Sequence, residues 1–554
     1  MSEGNPLNQK IINDEIARRK TFAIISHPDA GKTTLTEKLL FYGGVVREAG
    51  SVKAKAGKKH ATSDWMEMEK KRGISVTTTA IQFEHKNFCI NLLDTPGHKD
   101  FSEDTYRTLM AVDSAVMLID AAKGVEEQTK KLFQVCRKAG IPIFTFVNKL
   151  DREAKNPLQL IDEIESVLKM DCTPVNWPIG SGQSFRGVYD ILDKKFHAFD
   201  IDVLSRGEKP KSEIYESVED LRSHPDFQTS FVQAALDNFI NEIDLITTAS
   251  NPFDRERIQK GELSPVFFGS AMNNFGLELF LDYFIDLAPS PVPRATTDGK
   301  THAQSEKFSG VIFKIQANMD VNHRDSLAFL RICSGAYEKG LKVHLPRASK
   351  EYKINNAFSI LGRDRTPIEN AFAGDIIGVV DTSGQLRIGD TLAVQKDLEY
   401  RVWTRFLPEV FAEIRLMEPE KRKQLNKGLE QLSGEGIIQC LYSTSQLSVL
   451  PTLGAIGELQ FEVLTSRLEA EYKVQTKINR LPWVTSRLLV TDSDEYTSST
   501  SSDWTFIKDI DQNTIMLFAS EWSVRTFETI NKGAVLASDY ESFYKLKKDL
   551  RNES

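Results

Sequence analysis

Three short stretches carry side chains whose types and spacing suit phosphoryl chemistry. The first is Ser26-His27-Pro28-Asp29-Ala30-Gly31-Lys32-Thr33-Thr34. It fits the phosphate-loop template G-x-x-x-x-G-K-[ST], with Ser26 where the first glycine is usual. In such a loop, backbone N–H groups and a helix N-terminus cradle phosphate oxygens. Lys32 would bring a point charge to the β- and γ-phosphates, and the Thr33 hydroxyl is a ligand for Mg²⁺. Taken singly, a glycine-bearing turn between strand and helix fits the same letters. The second stretch is Asp94-Thr95-Pro96-Gly97-His98. Asp94 would hold Mg²⁺ through water, and Gly97 lets a backbone N–H approach a γ-phosphate closely; an isolated D-x-P-G is equally an ordinary β-turn. The third is Asn148-Lys149-Leu150-Asp151. A carboxylate at Asp151 accepts from both the N1–H and the 2-amino group of guanine, and adenine has no such pair of donors. GTP is therefore favoured over ATP. Farther on, Ser270 and Ala271 close the strand SPVFFGSA and are expected to offer backbone N–H groups to guanine O6. The order of these motifs along the chain, rather than any one of them, argues for a nucleotide site.

Elements that could position these residues are visible around them. An apolar strand from Thr21 precedes the phosphate loop, and Leu35, Leu39 and Leu40 follow it at helical spacing up to Gly43-Gly44. A buried-strand pattern from Phe88 to Leu93 delivers Asp94 to a strand's C-terminal end, where ligands sit in open α/β sheets. The strands SAVMLIDAA and IPIFTFVNKLD flank a helical segment from Glu126 to Ala139. Between Arg47 and Ile74 the chain is polar, with Lys53, Lys55, Lys58 and Lys59, and reads as either a mobile loop or a solvated charged face. It ends in EKKRGISVTTT, which sets hydroxyls just before a strand. Asp151 and Ser270 are 119 residues apart, whereas one βαβ crossover needs only ~30. An insertion at about 157–263, with Trp177, Phe185, Tyr189 and Phe196 among alternating charges, reads as a helical subdomain.

At 554 residues the chain exceeds one hydrophobic core, and roughly three or four domains are expected. The scheme read from the sequence is a charged N-terminal helix (1–20) and an α/β nucleotide domain (21–290). A proline-rich linker (291–307), a β-barrel (308–395) and an α+β domain (396–554) follow. In the last of these, Phe461, Leu464 and Leu468 make an apolar helix face. Lys421, Arg422, Lys423 and Lys427 form a basic cluster that suits either an RNA backbone or solvent. A formal charge of -8 argues against nucleic-acid binding by bulk charge. The five cysteines are scattered without a C-x-x-C pair, as expected in a reducing compartment. With no apolar leader and no apolar run of membrane-spanning length, a cytoplasmic protein is expected.

With the motifs in this order, the chain resembles the translational GTPases, and more narrowly the bacterial class-II release factors. SHPDAGKTT, SDWMEMEKKRGISVTTT and DTPGHKDFSEDTYRTL carry the narrower likeness, together with GVIFKIQANMDVNHRDSLAFLRICSG, EGIIQ and GAIGELQFEVLTSRLEAEYKV. The resemblance runs from about Arg19 to about Val474. It implies GTP and GDP as ligands with Mg²⁺, held by Thr33, Asp94 and the hydroxyl of Ser75. It implies that His98 orients the attacking water, and Asp29 matches a phosphate-loop carboxylate of the relatives. It implies action on the ribosome, on its RNA and proteins, with class-I release factors as partners and neither DNA nor membrane involved. Nothing demands more than a monomer. No arginine finger is identifiable, so an external activator is expected, and the ribosome fills that role in the family. Two alternatives stay open at this point. One is an elongation-factor-like translocase or ribosome-protection GTPase, against which stands the short remainder from Asn479 to Ser554. The other is a GTP-switched binding module that needs no hydrolysis. If γ-phosphate and Mg²⁺ order the region from Arg47 to Thr79 through Ser75, limited proteolysis will cut it more slowly with a nonhydrolysable GTP analogue than with GDP. Equal cleavage would count against that switch.

Overall fold

The computed structural model describes residues 6–44, 78–199, 212–223, 227–304, 306–317, 326–361, 364–382, 384–400, 405–443, 450–491 and 502–553. Helix α1 (Pro6–Ala17) leads into β1 (Arg19–Ser26), which begins ahead of the boundary expected at Thr21 and is buried along its whole length. Strands β2 (Thr79–His85), β3 (Phe88–Asp94), β4 (Ser114–Asp120), β5 (Ile143–Asn148) and β6 (Asp171–Pro174) build the nucleotide sheet. A meander of β7 (Asn176–Ile179), β8 (Gly187–Asp190), β9 (Lys195–Phe199) and β10 (Ser212–Tyr215) follows, and β11 (Leu263–Phe268) returns to the sheet. The order is β2-β3-β1-β4-β5-β11-β6, parallel apart from β2. Burial on both faces explains the near-continuous apolar runs. Along β1, Phe22 and Ile24 face one core while Ala23 and Ile25 face the other. Helices α2 (Lys32–Tyr42), α3 (Ser102–Met110), α4 (Glu127–Lys138), α5 (Pro157–Leu168), α6 (Val218–Ser223), α7 (Ser230–Ala249), α8 (Arg255–Gln259) and α9 (Leu277–Leu287) complete the domain.

The insertion is not the helical subdomain that its charge pattern suggested. Helix α5 and strand β6 belong to the main domain, with β6 pairing parallel to β11. Beyond them stands an antiparallel four-stranded sheet, ordered β10-β9-β8-β7, against which α7 packs. The aromatic residues mark its strands: Trp177, Tyr189 and Phe196 all lie in the meander, consistent with the preference of large rings for a pleated, half-buried surface.

The segment expected as a linker holds a small hairpin, β12 (Arg294–Ala295) with β13 (Thr301–His302). The barrel then uses β14 (Ser309–Ala317), β15 (Ser326–Ser334), β16 (Ala336–Glu338), β17 (Leu341–Leu345), β18 (Lys350–Ile354), β19 (Ala357–Leu361), β20 (Asp364–Ile368), β21 (Asn370–Phe372), β22 (Ile376–Asp381) and β23 (Thr391–Ala393). One pairing, Leu361 with Ile81, carries hydrogen-bonded sheet from barrel to nucleotide domain. Beneath it lies a buried polar seam. Arg19 Nε is 2.8 Å from Asp375 Oδ2, and the Gly374 carbonyl accepts from Thr21 Oγ1 at 2.6 Å and Asn91 Nδ2 at 3.2 Å. Asp113, whose side chain is wholly buried, receives Arg294 at 3.2 Å and Arg331 at 2.5 Å.

The C-terminal region comprises two lobes rather than one continuous core. The first is a βαββαβ unit of β24 (Val410–Leu416), α10 (Arg422–Gly434), β25 (Gln439–Ser443), β26 (Thr452–Ala455), α11 (Glu458–Tyr472) and β27 (Thr476–Arg480). Phe461, Leu464 and Leu468 of α11 are buried with Leu425, Leu429 and Leu432 of α10, as their spacing suggested. Arg422, Lys423 and Lys427 lie on the exposed side of α10. The second lobe holds β28 (Thr485–Leu489), β29 (Trp504–Lys508), β30 (Thr514–Phe518), α12 (Glu521–Ile530), β31 (Leu536–Ala537) and α13 (Tyr540–Glu553). Pairing of β25 with β29 joins the lobes into one sheet. No helix among the described residues is long and apolar enough to cross a membrane.

Replacing Asp113 by alanine would leave Arg331 buried without its counter-charge, at a cost of about 3–5 kcal/mol. A clearly lowered thermal unfolding midpoint is expected. An unchanged midpoint would show that the seam does not hold the two domains together.

Candidate functional site

Every described residue singled out in the sequence motifs gathers at the C-terminal ends of β1, β3, β5 and β11. Ser26 ends β1, and the loop from His27 to Gly31 runs into α2, whose first turn holds Lys32, Thr33 and Thr34. Gly31 sits at φ 101° and Asp29 at φ 67°, the left-handed region in which the loop folds back on itself. A Cβ on Gly31 would lie 2.5 Å from Asn148 Nδ2, so the glycine is required by close approach as well as by conformation. No side chain caps α2, which leaves its first-turn N–H groups as donors for an anion. Ser26 Oγ is buried and has no hydrogen-bond partner among the described residues. Lys32 Nζ lies 2.6 Å from Asp94 Oδ1 with both groups buried. Thr33 and Asp94 carry the kind of hard oxygen donors that Mg²⁺ prefers. These features fit a nucleoside triphosphate with its metal.

The loop after β3 lies against the phosphate loop. Thr95 Oγ1 donates to the Ile24 carbonyl at 2.8 Å, and the Pro96 carbonyl accepts from Thr105 Oγ1 at 3.0 Å. A Cβ on Gly97 would stand 3.7 Å from Pro28 Cα. His98 follows, partly exposed, with Nδ1 3.3 Å from both the amide nitrogen and Oδ1 of Asp100. Ser75 lies outside the described residues, as does most of the Arg47–Thr79 stretch. Thr78 is described and firmly held. Its N–H and hydroxyl donate to Asp104 Oδ2 at 2.9 and 2.7 Å, its hydroxyl meets that of Thr108 at 2.8 Å, and its carbonyl accepts from Lys314 of the barrel.

The base-side motifs lock onto the phosphate loop and onto one another. Asn148 Nδ2 donates to the Ala30 carbonyl at 2.9 Å, and Asn148 Oδ1 accepts from Ala271 N at 2.8 Å. Lys149, at φ 73°, sends Nζ to the Asp29 carbonyl and to Asp120 Oδ2, the latter at 2.8 Å. Leu150 is wholly buried, and its N–H donates to the Gly269 carbonyl at 3.2 Å. Asp151 Oδ1 accepts from Ser270 Oγ at 2.6 Å.

One detail of the expected base pocket differs. Both N–H groups assigned to guanine O6 are engaged within the protein, Ser270 N with the Phe275 carbonyl at 3.0 Å and Ala271 N with Asn148 Oδ1. The reason is a tight antiparallel bridge between Ser270 and Phe275. Ser270 contributes its hydroxyl to Asp151 instead. The insertion supports this pocket, because Gly182 N donates to the Leu150 carbonyl at 2.8 Å. The rings of Phe199 and Phe275 also stack at 4.4 Å.

Asp120 is a residue that the motifs did not reveal. It ends β4 and holds Lys149. Burial tends to raise its carboxyl pKa, but the Lys149 bond and the Ala122 and Lys123 amides outweigh this and keep it below the ordinary aspartate range. The available signal was its place at the C-terminal end of a buried strand beside β1 and β5.

Comparison with known proteins agrees with this geometry. Residues 17–290 match the family described as Elongation factor Tu GTP binding domain. Residues 307–395 match Elongation factor G domain 2, and residues 400–528 match Class II release factor RF3, C-terminal domain. Among curated proteins, the chain is similar to the peptide chain release factor 3 of Gloeobacter violaceus, at 48% identity over 93% of this chain and 96% of that one. It is likewise similar to that of Symbiobacterium thermophilum, at 48% identity over 94% and 98%. Among solved structures, a protein from Thermus thermophilus shares the fold with a TM-score of 0.67 at 22% identity, over 85% of this chain and 70% of that one.

Replacing Asp120 by alanine removes a charge-assisted bond worth about 1.5–3 kcal/mol and is expected to weaken GDP binding roughly tenfold to hundredfold. Displacement of a fluorescent GDP measures this. An unchanged affinity would remove Asp120 from the site.

Proposed function

The chain belongs to the class II release factor family of translational GTPases, and from that premise we propose that it acts on the ribosome once the finished peptide has been freed. There it uses GTP to drive the codon-reading class-I release factors off. The observation that carries this reading is the similarity, over nearly the full chain, to relatives named peptide chain release factor 3. It includes the C-terminal region, which matches the release-factor domain. The protein would work as a monomer in the cytoplasm, touching ribosomal RNA and ribosomal proteins and neither DNA nor membrane.

The site supports a set of residue roles. Asp151 would accept from the two guanine donors and so set the choice of GTP, while Asn148 and Lys149 tie the base loop to the phosphate loop. The segment from Ser26 to Thr34 would wrap the phosphates with its backbone. Lys32 would turn from Asp94 to the phosphate oxygens, which frees Asp94 to join Thr33 and Ser75 as the groups holding Mg²⁺. When bound, Mg²⁺ neutralises charge on the β- and γ-phosphate oxygens. Asp94, Thr95, Pro96 and Gly97 shape the γ-phosphate end of the site, and His98 would orient the attacking water. Phosphoryl transfer to water asks the protein mainly for positioning and charge stabilisation.

Dissociation of a labelled class-I release factor from ribosomes stalled after peptide release tests the reading. The protein with GTP is expected to accelerate it. His98→Ala is expected to lower ribosome-stimulated hydrolysis by roughly a hundredfold or more. No acceleration, with stimulated hydrolysis intact, would move the assignment to a translocase or ribosome-protection role. Acceleration that survives the loss of hydrolysis in His98→Ala would favour a GTP-switched binding module.

A further inference from the structure

We propose that Asp100 is a positioning residue that couples the orientation of His98 to the seating of the C-terminal domain. The inference rests on the reading of His98 as the residue that orients water. Asp100 is buried at 4% exposure between two groups that are far apart in the sequence. Its Oδ1 lies 3.3 Å from His98 Nδ1. Its Oδ2 accepts the N–H of Leu459, in the first turn of α11, at 2.8 Å. One carboxylate therefore touches the histidine beside the phosphate loop and an N–H of a helix in another domain.

Three features give this contact its specificity. First, a carboxylate at a helix N-terminus satisfies a first-turn donor and is favoured by the helix dipole. Gly457, the residue that precedes α11, has no side chain with which to do so itself. Second, a Cβ on Gly457 would lie 2.1 Å from Asp100 Cγ and 2.4 Å from each carboxylate oxygen. The backbone of Gly457 is extended, φ -154°, a conformation open to any residue, so what requires glycine there is the carboxylate. Third, Phe101 packs on Val463 of the same helix, which reinforces the register of the contact.

The consequence for His98 lies in its ring nitrogens. Nδ1 accepts the Asp100 N–H at 3.3 Å and lies 3.3 Å from Asp100 Oδ1. The hydrogen bond formed at this nitrogen is the one from the Asp100 N–H, with Nδ1 accepting. Asp100 therefore fixes the orientation of the imidazole ring through its backbone N–H, while its carboxylate reaches α11. With α11 seated, Asp100 holds the ring in this orientation. When the C-terminal domain shifts, Asp100 loses the Leu459 N–H and the ring is released.

The test uses the full chain with Gly457→Ala, a change in the C-terminal domain that leaves the nucleotide motifs untouched. Ribosome-stimulated kcat is expected to fall roughly tenfold, while the ribosome concentration at half-saturation and the affinity for GDP stay the same. In an Asp100→Ala background the collision is gone, and Gly457→Ala is expected to add no further loss. Unimpaired kcat, a change confined to half-saturation, or additive losses in the double variant would each overturn the coupling. His98→Ala measured alongside separates the two ideas. Full turnover in His98→Ala would overturn the water-orienting reading and this inference with it. Deficient His98→Ala beside unimpaired Gly457→Ala would overturn the coupling alone.

Discussion

The arrangement depends first on a buried charge. Asp113 begins the turn into β4 at the base of the nucleotide sheet and has no contact with solvent, yet two arginines from beyond that domain converge on it. Taking such charges out of water is costly, and only close pairing with further hydrogen bonds compensates. Here the pairing fixes a relation between domains. Arg331 also donates to the Gly374 carbonyl, which receives Thr21 and Asn91 of the nucleotide sheet, and the neighbouring Asp375 binds Arg19. The start of β1, the strand that ends in the phosphate loop, is thus anchored in the barrel.

With that relation fixed, α3 becomes the element on which three parts of the molecule meet. Its Asp104 and Thr108 hold Thr78, whose carbonyl is taken by Lys314 of β14. Arg107 packs so closely on Gly436 that a Cβ there would lie 2.4 Å from Nη1. Gly436 follows Glu435, a buried carboxylate that binds Arg467 of α11 and accepts from the Ala317 amide at the end of β14. Burial pushes the Glu435 carboxyl above its ordinary range, although Arg467 opposes this. Such a network allows few intermediate positions, because moving α3 breaks contacts in the barrel and in the C-terminal region together. A part of this kind suits a switch between discrete states better than a graded one.

The placement of the candidate site residues was legible where it is encoded locally. Gly31, Lys32, Asp94, Asn148 and Asp151 stand within motifs whose spacing prescribes a strand end and a turn, and the strands that carry them are long apolar runs. What could not be read involves partners distant in sequence. Nothing near Asp100 announces Leu459, and nothing near Asp120 announces Lys149. The same holds for the engaged amides of Ser270 and Ala271, which depend on a bridge to Phe275. In the insertion, ring-bearing residues among alternating charges suit helix and strand alike, and the choice was made by packing of the meander against α7. The barrel was visible from its turns, whereas the division of the C-terminal region into two lobes rests on cores that share no sequence pattern.

The single Leu361–Ile81 pairing has a meaning beyond architecture. Strand β2 is the outermost strand of the nucleotide sheet, and an uncovered outer strand is a template onto which another molecule can add its own. The barrel strand β19 meets that border at Ile81. At that point the barrel covers part of the outer edge of the nucleotide sheet. Separation of the barrel would uncover that point of the edge, which makes the barrel a cover for the sheet as well as its neighbour.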